Sequence, residues 1–330
     1  MKMSWINFLQ PKELYNFATH LKPMQKALAI LFTFISFQVS AQGVLDWWDQ
    51  LHNYPDAAGP ERSRYINLSP GYLGPNAMII PALPNMIIDN EFWVQAFGQT
   101  HAGNGDKTKN FFLKGNFPLA RDRVSMYVTS VPYESWEVTP ATRDDRRMMN
   151  ITGKGHNTGD IAYGFIFKIF RENHWLPFNF GMRAHAKTTT GGELNNARST
   201  DNSLFQWEGN FSKTLLDKDE EKLLLKASLG FVTWQADGNG LPGGTFHKQN
   251  DAPYYGFGVE YLNHSWSFGT DVVGYTGYIG NRDYPHFFRT QAQYRTGRFG
   301  IRSEFNYGLQ SWDWNTFSLG VRYYFLELLD

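Results

Sequence analysis

The chain has 330 residues, and its 31 Lys and Arg balance its 31 Asp and Glu, so its formal net charge is zero. Composition therefore gives no indication of a nucleic-acid partner, which would call for a basic excess. The sequence contains no Cys, which excludes a disulfide framework and lipid attachment through an N-terminal Cys. Aromatic residues make up 17% of the chain. In a polar chain this suits a membrane barrel, where lipid-facing and lumen-facing residues alternate.

The first predicted element is a secretory signal peptide. Read from Met24, a short basic start precedes the apolar run Ala27–Phe37, and Val39 and Ala41 occupy the −3 and −1 positions of a small-residue cleavage site. The apolar run is too short for a transmembrane helix, which needs about 20 residues. We therefore expect residues 1–41 to be removed, with Met24 as the true start.

The next segment, residues 42–86, is predicted to be irregular. Between Ser69 and Asn85 it contains four prolines, Pro70, Pro75, Pro81 and Pro84. Proline lacks a backbone N–H and fixes φ, so this density prevents both helix interiors and central strands. We expect an extended segment that lies in the periplasm or forms a plug in or under the following domain.

Residues 87–330 are predicted to form an all-β, transmembrane antiparallel barrel of about twelve strands, because blocks of period-2 alternation are separated by Gly, Asn, Asp or Pro clusters. In the last block, Leu319 and Val321 alternate with Ser318 and Arg322. Each block can cross a bilayer, since a tilted strand needs about 9–11 residues. The blocks are 89–101, 108–118, 122–137, 159–171, 176–189, 202–215, 222–236, 251–262, 265–277, 285–296, 298–309 and 314–326.

The connections between the blocks alternate in length, short at 118–122, 172–175, 262–265 and 296–298, and long at 138–158, 191–201, 236–250 and 277–284. Outer-membrane barrels have short periplasmic turns and longer external loops, so both termini are expected in the periplasm. The joint 216–221 is the one that departs from this pattern. The alternative is an exported β-sandwich or jelly roll. Two features argue against it: one face of the strands is rich in aromatic residues, and the opposite face carries charges in the middle of the strands.

The C-terminal stretch Phe317–Phe325 resembles the closing-strand signal that the barrel assembly machinery recognises. More broadly, the chain resembles uncharacterised outer-membrane β-barrel proteins of Bacteroidota-type bacteria. The resemblance implies the bacterial outer membrane as location, with its lipid and the assembly machinery as partners, and it implies no activity. The stretches that carry it are 67–77, 159–163, 196–201, 249–252 and 277–280.

The polar face of the strands defines the candidate lumen-lining residues. Their charges are mixed with a basic excess, which favours a passive or gated pore for small polar solutes and, among these, for anions. A network of ion pairs that fills a narrow barrel and leaves no channel is equally compatible with them. The candidates are Lys114, Lys168, Arg183, His185, Lys187, Glu208, Lys226, Glu260, Asp271, Arg289, Arg295, Arg302, Glu304 and Arg322.

The loop 139–158 holds the charged run Arg143–Arg147, which would form either an inward constriction or a solvated external loop. Charge-rich loops are usually solvated, so we expect the second. Most Trp residues fall near strand ends and are expected in the aromatic girdles at the membrane interfaces. These are Trp136, Trp175, Trp207, Trp266, Trp312 and Trp314, whereas Trp93 and Trp234 fall on the lumen side.

No catalytic motif is found, neither H-E-x-x-H nor G-x-S-x-G. His101, at a strand end, and His185, on the lumen face, are the most interesting His residues, but no nucleophile accompanies them. The Asp- and Asn-rich loops lack EF-hand spacing. We therefore expect no enzyme activity, cofactor or metal. The hypotheses that remain are a pore, a structural or partner-binding barrel without an open channel and, third, a lipid-modifying enzyme.

Overall fold

We analysed a computed structural model, which describes residues 46–52, 67, 69–78, 80–200, 202–218, 220–237, 247–278 and 282–328. The predicted signal peptide, residues 1–41, lies outside the described residues. The chain divides into two compact units, Met1–Leu51 and His52–Asp330. Helix α1, Asp46–His52, covers the described part of the first unit. None of the helices in the described residues is long and apolar enough to cross a membrane.

Strands make up most of the described part of the second unit. A short helix, α2, spans Pro140–Asp145, and single 3-10 turns span Pro70–Tyr72 and Leu194–Asn196. The strands are β1 Glu91–Gly103, β2 Asp106–Ala120, β3 Val124–Val138, β4 Lys154–Asn157, β5 Ala162–Phe170, β6 Asn179–Lys187, β7 Leu204–Lys218, β8 Glu221–Asp237, β9 His247–Leu262, β10 Trp266–Tyr275, β11 His286–Thr296, β12 Phe299–Gln310 and β13 Asn315–Glu327.

Twelve of these strands close into an antiparallel ring, in which β3 pairs with both β2 and β5 and β13 pairs back onto β1. The short β4 pairs with β3 alone and stands outside the ring. The predicted barrel of twelve strands is therefore confirmed. The connection between β7 and β8 is shorter than the predicted 216–221, because β7 continues to Lys218 through a bulge between Thr214 and Leu216. Within the ring of twelve described strands, closure pairs both edges of every strand, which a barrel in lipid requires.

The barrel wall is polar inside and apolar outside, and β7 shows the arrangement. Gln206, Glu208 and Asn210 are buried in the lumen, whereas Phe205 and Trp207 on the opposite face are 46% and 47% exposed. A water-soluble barrel would bury the aromatic face instead. An outward apolar surface around a closed antiparallel barrel is the architecture of outer-membrane proteins. The protein is thus located in the bacterial outer membrane, in contact with its lipid.

The two ends of the barrel differ in their connections. We call the end with the β2–β3, β7–β8, β9–β10 and β11–β12 turns the turn end, and the opposite end, with the connections β3–β5, β6–β7, β8–β9 and β10–β11, the loop end. In outer-membrane barrels the turn end faces the periplasm and the loop end faces outward. The tightest connection at the loop end joins β1 to β2 through Asn104 and Gly105, where Gly105 has φ 73°.

Residues 69–78 and 80–90, which we call the lumen segment, run through the barrel from the loop end to the turn end. The Gly71 N–H donates to the Arg282 carbonyl (3.1 Å) and the Gly74 N–H to the Ala197 carbonyl (2.8 Å), both in loop-end connections. At the other end, the Asn90 carbonyl accepts from the Leu328 N–H (2.9 Å), next to the start of β1. The Asn67 amide donates to a backbone carbonyl of the 139–158 loop (3.0 Å). Residue 67 and residues 69–78 therefore lie at the loop end.

An apolar cluster fills the loop end of the lumen. Leu73, Ala77 and Met78 of the lumen segment are almost completely buried in it, together with Trp136 near the end of β3 and Tyr254 in the middle of β9. Ile80 and Leu83, also of the lumen segment, belong to the cluster, and its other members come from strands and loops at the same end of the barrel. The loop end of the lumen thus contains a large apolar cluster, whereas the barrel wall further down is polar.

Candidate functional site

The structure places eight of the predicted lumen-lining side chains in buried positions: Arg183, His185, Lys187, Glu208, Lys226, Glu260, Asp271 and Arg289. The other six are partly buried: Lys114, Lys168, Arg295, Arg302, Glu304 and Arg322. They do not form one cluster. Most belong to two opposite parts of the wall that hold their charges differently, and the rest lie near the ends of the barrel.

The first part of the wall, which we call the clamp wall, extends from β6 to β12 and holds the lumen segment. Arg183 faces Glu208 directly across β6 and β7, and its Nε forms an ion pair with that carboxylate. The Arg183 Nη1 donates to the Ala82 carbonyl of the lumen segment at 2.5 Å. The buried Arg183 guanidinium therefore links the barrel wall to the lumen segment through a backbone carbonyl that takes no part in the sheet.

The same arrangement occurs twice more along the clamp wall. Lys226 Nζ lies 3.0 Å from a Glu260 carboxylate oxygen and 3.5 Å from the Leu83 carbonyl. Arg289 donates from Nη2 to the Ile80 carbonyl at 3.0 Å, and its guanidinium nitrogens lie 3.4 Å from Glu304 and 3.8 Å from Asp271. Each of the three clamp cations thus combines a carboxylate with a carbonyl of the lumen segment.

The second part, which we call the open wall, is formed by β1, β2 and β13. The strand register places Lys114, Gln95 and Arg322 side by side at one level of the wall. Arg322 donates from Nε and Nη2 to the Gln95 Oε1 at 3.0 and 2.8 Å. Its guanidinium lies 3.8 Å from the centre of the Trp93 ring. The Lys114 Nζ lies 5.2 Å from the centre of the Tyr127 ring.

Within the part of the chain that the structure describes, Lys114 and Arg322 form no ion pair with a carboxylate and no hydrogen bond to the lumen segment. The Gln95 Nε2 is also a buried donor with no acceptor there, and the Gln95 side chain is only 2% exposed. The open wall therefore presents two positive charges and one amide donor toward the space beside the lumen segment.

That space consists of two adjoining cavities. The upper one has a volume of about 210 Å³ and reaches from Trp93 to His101 and Thr316 near the loop end. The lower one has a volume of about 190 Å³ and opens toward Asp89 and the turn end. Both cavities are lined by Pro81, Ala82, Trp93, Lys114, Tyr127 and Arg302. Their junction therefore lies between the lumen segment on one side and Lys114 on the other.

One acid lies where the lower cavity meets the turn end. The Asp89 carboxylate accepts from Trp93 Nε1 at 2.7 Å and from the Glu91 N–H at 3.0 Å. Burial raises the pKa of Asp89 above its ordinary value, and these two hydrogen bonds offset part of the increase. Nearby, Arg295 forms an ion pair with Glu91 and stacks 3.8 Å above the Tyr324 ring.

A buried ionic cluster closes the loop end above the upper cavity. The Asp106 carboxylate, at the start of β2, accepts from Arg146 Nη1 at 2.5 Å and from Arg198 Nη2 at 2.8 Å. Arg198 also donates to the Thr108 hydroxyl at 2.9 Å. The Asn76 amide of the lumen segment donates to Glu134 in the same cluster. Two loops, two strands and the lumen segment are therefore held together by charge-assisted hydrogen bonds.

This cluster corrects the expectation that the charged run of the 139–158 loop is solvated. Arg146 is 2% exposed and Met148 is completely buried, so this part of the loop folds inward. The girdle assignment is also wrong for three Trp residues. Trp136 and Trp314 are buried in the lumen, each under a guanidinium, and Trp312 packs against the apolar cluster. Trp175, Trp207 and Trp266 are exposed on the surface, and Trp93 and Trp234 are buried inside as predicted.

The two His residues singled out from the sequence are both buried and line the upper cavity. The His101 Nδ1 lies 2.8 Å from the Thr316 hydroxyl, and its Nε2 lies 2.5 Å from the Asn110 amide oxygen. The His185 Nδ1 lies 3.0 Å from the Tyr127 hydroxyl. Lys187 is bound elsewhere, to Asp160 at 2.6 Å and to the Thr200 hydroxyl at 3.1 Å.

Sequence reasoning missed Gln95, Asn76 and the Asp106 cluster. Gln95 sits on the inward face of the predicted first strand, so its period-2 position was a usable signal. The partners of Asp106 come from loops, where no periodicity applies, and the chain offers no local signal for them.

No family model and no curated protein matches the chain. Among solved structures, an outer membrane channel from Pseudomonas putida F1 is 11% identical with a TM-score of 0.48, over 75% of this chain and 100% of that one. The NanC porin is 11% identical with a TM-score of 0.47, over 71% and 100%. The KdgM porin in complex with disordered oligogalacturonate is 10% identical with a TM-score of 0.41, over 71% and 99%. The chain is similar to these outer-membrane barrels at low identity.

Proposed function

We propose that the protein is an outer-membrane pore for small polar solutes that favours anions and that the lumen segment narrows. The observation that carries the proposal is the pair of adjoining cavities between the open wall and the lumen segment. Together the cavities extend along the lumen from His101, near the loop end, to Asp89, near the turn end. Lys114 and Arg302 are the cations that line both cavities. A positive lining concentrates anions and lowers the barrier to their entry.

The lumen segment acts in this proposal as a plug that is held from one side. The clamp cations bind its carbonyls at residues 80, 82 and 83, and the ionic cluster at Asp106 holds it near the loop end. The apolar cluster fills the lumen between these contacts and the loops. Conduction in this arrangement requires the loop end to open, so the pore is gated rather than permanently wide.

The test is single-channel conductance in planar bilayers, comparing refolded residues 42–330 with a variant that lacks residues 42–86. Discrete steps that grow in the shortened variant are expected, since the deletion empties the lumen. Reversal potentials in a salt gradient should then show anion preference. Circular dichroism and resistance to proteolysis verify that both proteins are folded barrels.

The filled loop end also favours the second candidate function, a partner-binding barrel without an open channel. Bilayers that stay at baseline with both folded proteins would reject the pore and favour this alternative. A search for partners should then start with the loop-end surface.

We also infer that the barrel assembly machinery recognises β13. This strand closes the ring onto β1, and its outward face exposes Phe317, Leu319 and Val321 by 51%, 53% and 52%. Replacing these three with Ser is expected to reduce the amount of folded protein in the outer membrane while the secreted precursor accumulates in the periplasm, as fractionation and immunoblotting would show.

A further inference from the structure

We propose that the open wall contains a binding site for an oxyanion, most simply the carboxylate of a small organic acid, formed by Lys114, Arg322 and the Gln95 amide. The proposal rests on the proposed pore function, because it identifies the chemical group that such a pore would select. The binding site differs from the pore function in one respect: the site binds its ligand at equilibrium, whether or not the bound molecule crosses the barrel.

The charges of the mid-lumen support this site. Six cations and four acids face each other there: Arg183, Lys226, Arg289, Lys114, Arg302 and Arg322 against Glu208, Glu260, Asp271 and Glu304. Four of the cations have a carboxylate within ion-pair distance. Among the described residues, Lys114 and Arg322 are the two left without one, and they are also the two that the barrel register places on either side of Gln95.

Geometry makes the three groups suitable for one ligand. Arg322 fixes the Gln95 side chain by donating to its Oε1, which leaves the Gln95 Nε2 as a free donor on a buried side chain that lines the upper cavity. A buried donor without an acceptor costs stability, so a ligand oxygen that accepts from it gains that free energy back. Lys114 and Arg322 supply the positive charge that such an oxygen requires.

The position of the site also matches a passing solute. Lys114 lines both cavities, so a solute that moves from one to the other has to pass it. Trp93 and Tyr127 line both cavities as well, and with Phe97 and Phe112 they give the upper cavity an apolar side. A carboxylate attached to a compact carbon skeleton fits this combination of cationic and apolar walls, which is typical of pockets for small molecules.

The test is isothermal titration calorimetry of the refolded mature protein in detergent with three probes: sodium glucuronate, neutral methyl glucoside and inorganic sulfate. Glucuronate is expected to bind and methyl glucoside to give no heat. Binding of glucuronate alone identifies an organic carboxylate as the ligand, whereas equal binding of sulfate identifies a site for oxyanions in general. Both results support the site.

Two variants, Lys114→Gln and Arg322→Gln, are expected to weaken glucuronate binding by roughly tenfold or more, because each removes a positive charge from the site and Arg322→Gln also releases the Gln95 side chain. Lys109→Gln is the matched control, since Lys109 lies on the exposed outer face of the same strand. Absence of heat with both anions, or unchanged binding in the Lys114 variant, would overturn the proposal. Binding that persists while bilayers remain silent supports the site and rejects the pore, whereas conductance without binding does the reverse.

Discussion

The two walls of the lumen contain similar cations and use them in opposite ways. On the clamp wall, Arg183 and Lys226 each neutralise a carboxylate and bind a backbone carbonyl of the lumen segment. On the open wall, Lys114 and Arg322 face a cavity and pair with no acid in the described structure. The partners of a lumen charge, rather than its presence, therefore determine whether that charge holds the fold together or remains free for a solute.

Breaking an ion pair of the clamp wall should lower the stability of the barrel most. Glu208→Ala leaves the Arg183 guanidinium buried without its counter-charge, which typically costs about 3–5 kcal/mol of the free energy of unfolding. The unfolding midpoint in guanidinium, measured for the refolded barrel in detergent, should decrease accordingly.

The control for this experiment is Glu137→Ala. Glu137 pairs with Lys154 at 2.8 Å, but both side chains are more than half exposed, so water replaces the interaction and the midpoint should stay unchanged. Equal midpoints for the two variants would contradict the role assigned to the clamp wall.

A smaller effect on stability, but a clear one on selectivity, is expected on the open wall. Lys114→Glu reverses a charge at the junction of the two cavities, and it breaks no ion pair among the described residues. The permeability ratio of anion to cation, taken from reversal potentials, should fall roughly tenfold, since the interaction of unit charges across a few ångströms exceeds the thermal energy. Lys109→Glu on the outer face of β2 should leave the ratio as it is. A ratio that changes equally in both variants would mean that overall charge, and not the junction, sets selectivity.

The smallest effect concerns Asp89 at the lower end of the passage. Because burial raises the pKa of Asp89, the folded protein holds this proton more tightly than the unfolded chain does. The contribution of Asp89 to stability is therefore present below its unfolded pKa of 3.8 and is lost as the pH increases through its folded pKa. Asp89→Asn removes that dependence. The unfolding midpoint at pH 4 minus the midpoint at pH 7 should therefore be smaller in the variant than in the unchanged protein. An unchanged difference would show that Asp89 does not titrate differently in the folded protein.

The sequence is sufficient to predict the wall of the barrel, because lipid and lumen impose period-2 alternation on every strand. Leu319 and Val321 face lipid in β13 as predicted. The same rule fails for Trp136 and Trp314 because it assumes that an apolar side chain near a strand end faces lipid. Here the lumen is itself filled with apolar side chains, so the inward face also accepts Trp.

For the candidate site, the sequence predicts only which face of each strand a residue occupies. Alternation places Lys114 and Arg322 inside, but it does not show which cations have acids beside them. That depends on contacts far apart in sequence, such as Arg322 with Gln95, 227 residues away, and Arg198 with Asp106, 92 residues away. Barrel closure and loop folding create these pairs, and no local pattern encodes them.

The course of the lumen segment has a consequence for the order of assembly. The segment continues directly into β1, and β1 is sealed by β13, the last strand of the chain. Its carbonyls are bound by β6, β8 and β11, so strands from the middle of the sheet already need it in place. A ring that closed empty would have to draw a proline-rich stretch through a narrow lumen afterwards. We therefore expect the sheet to curl around the segment, with the seam between β1 and β13 forming last.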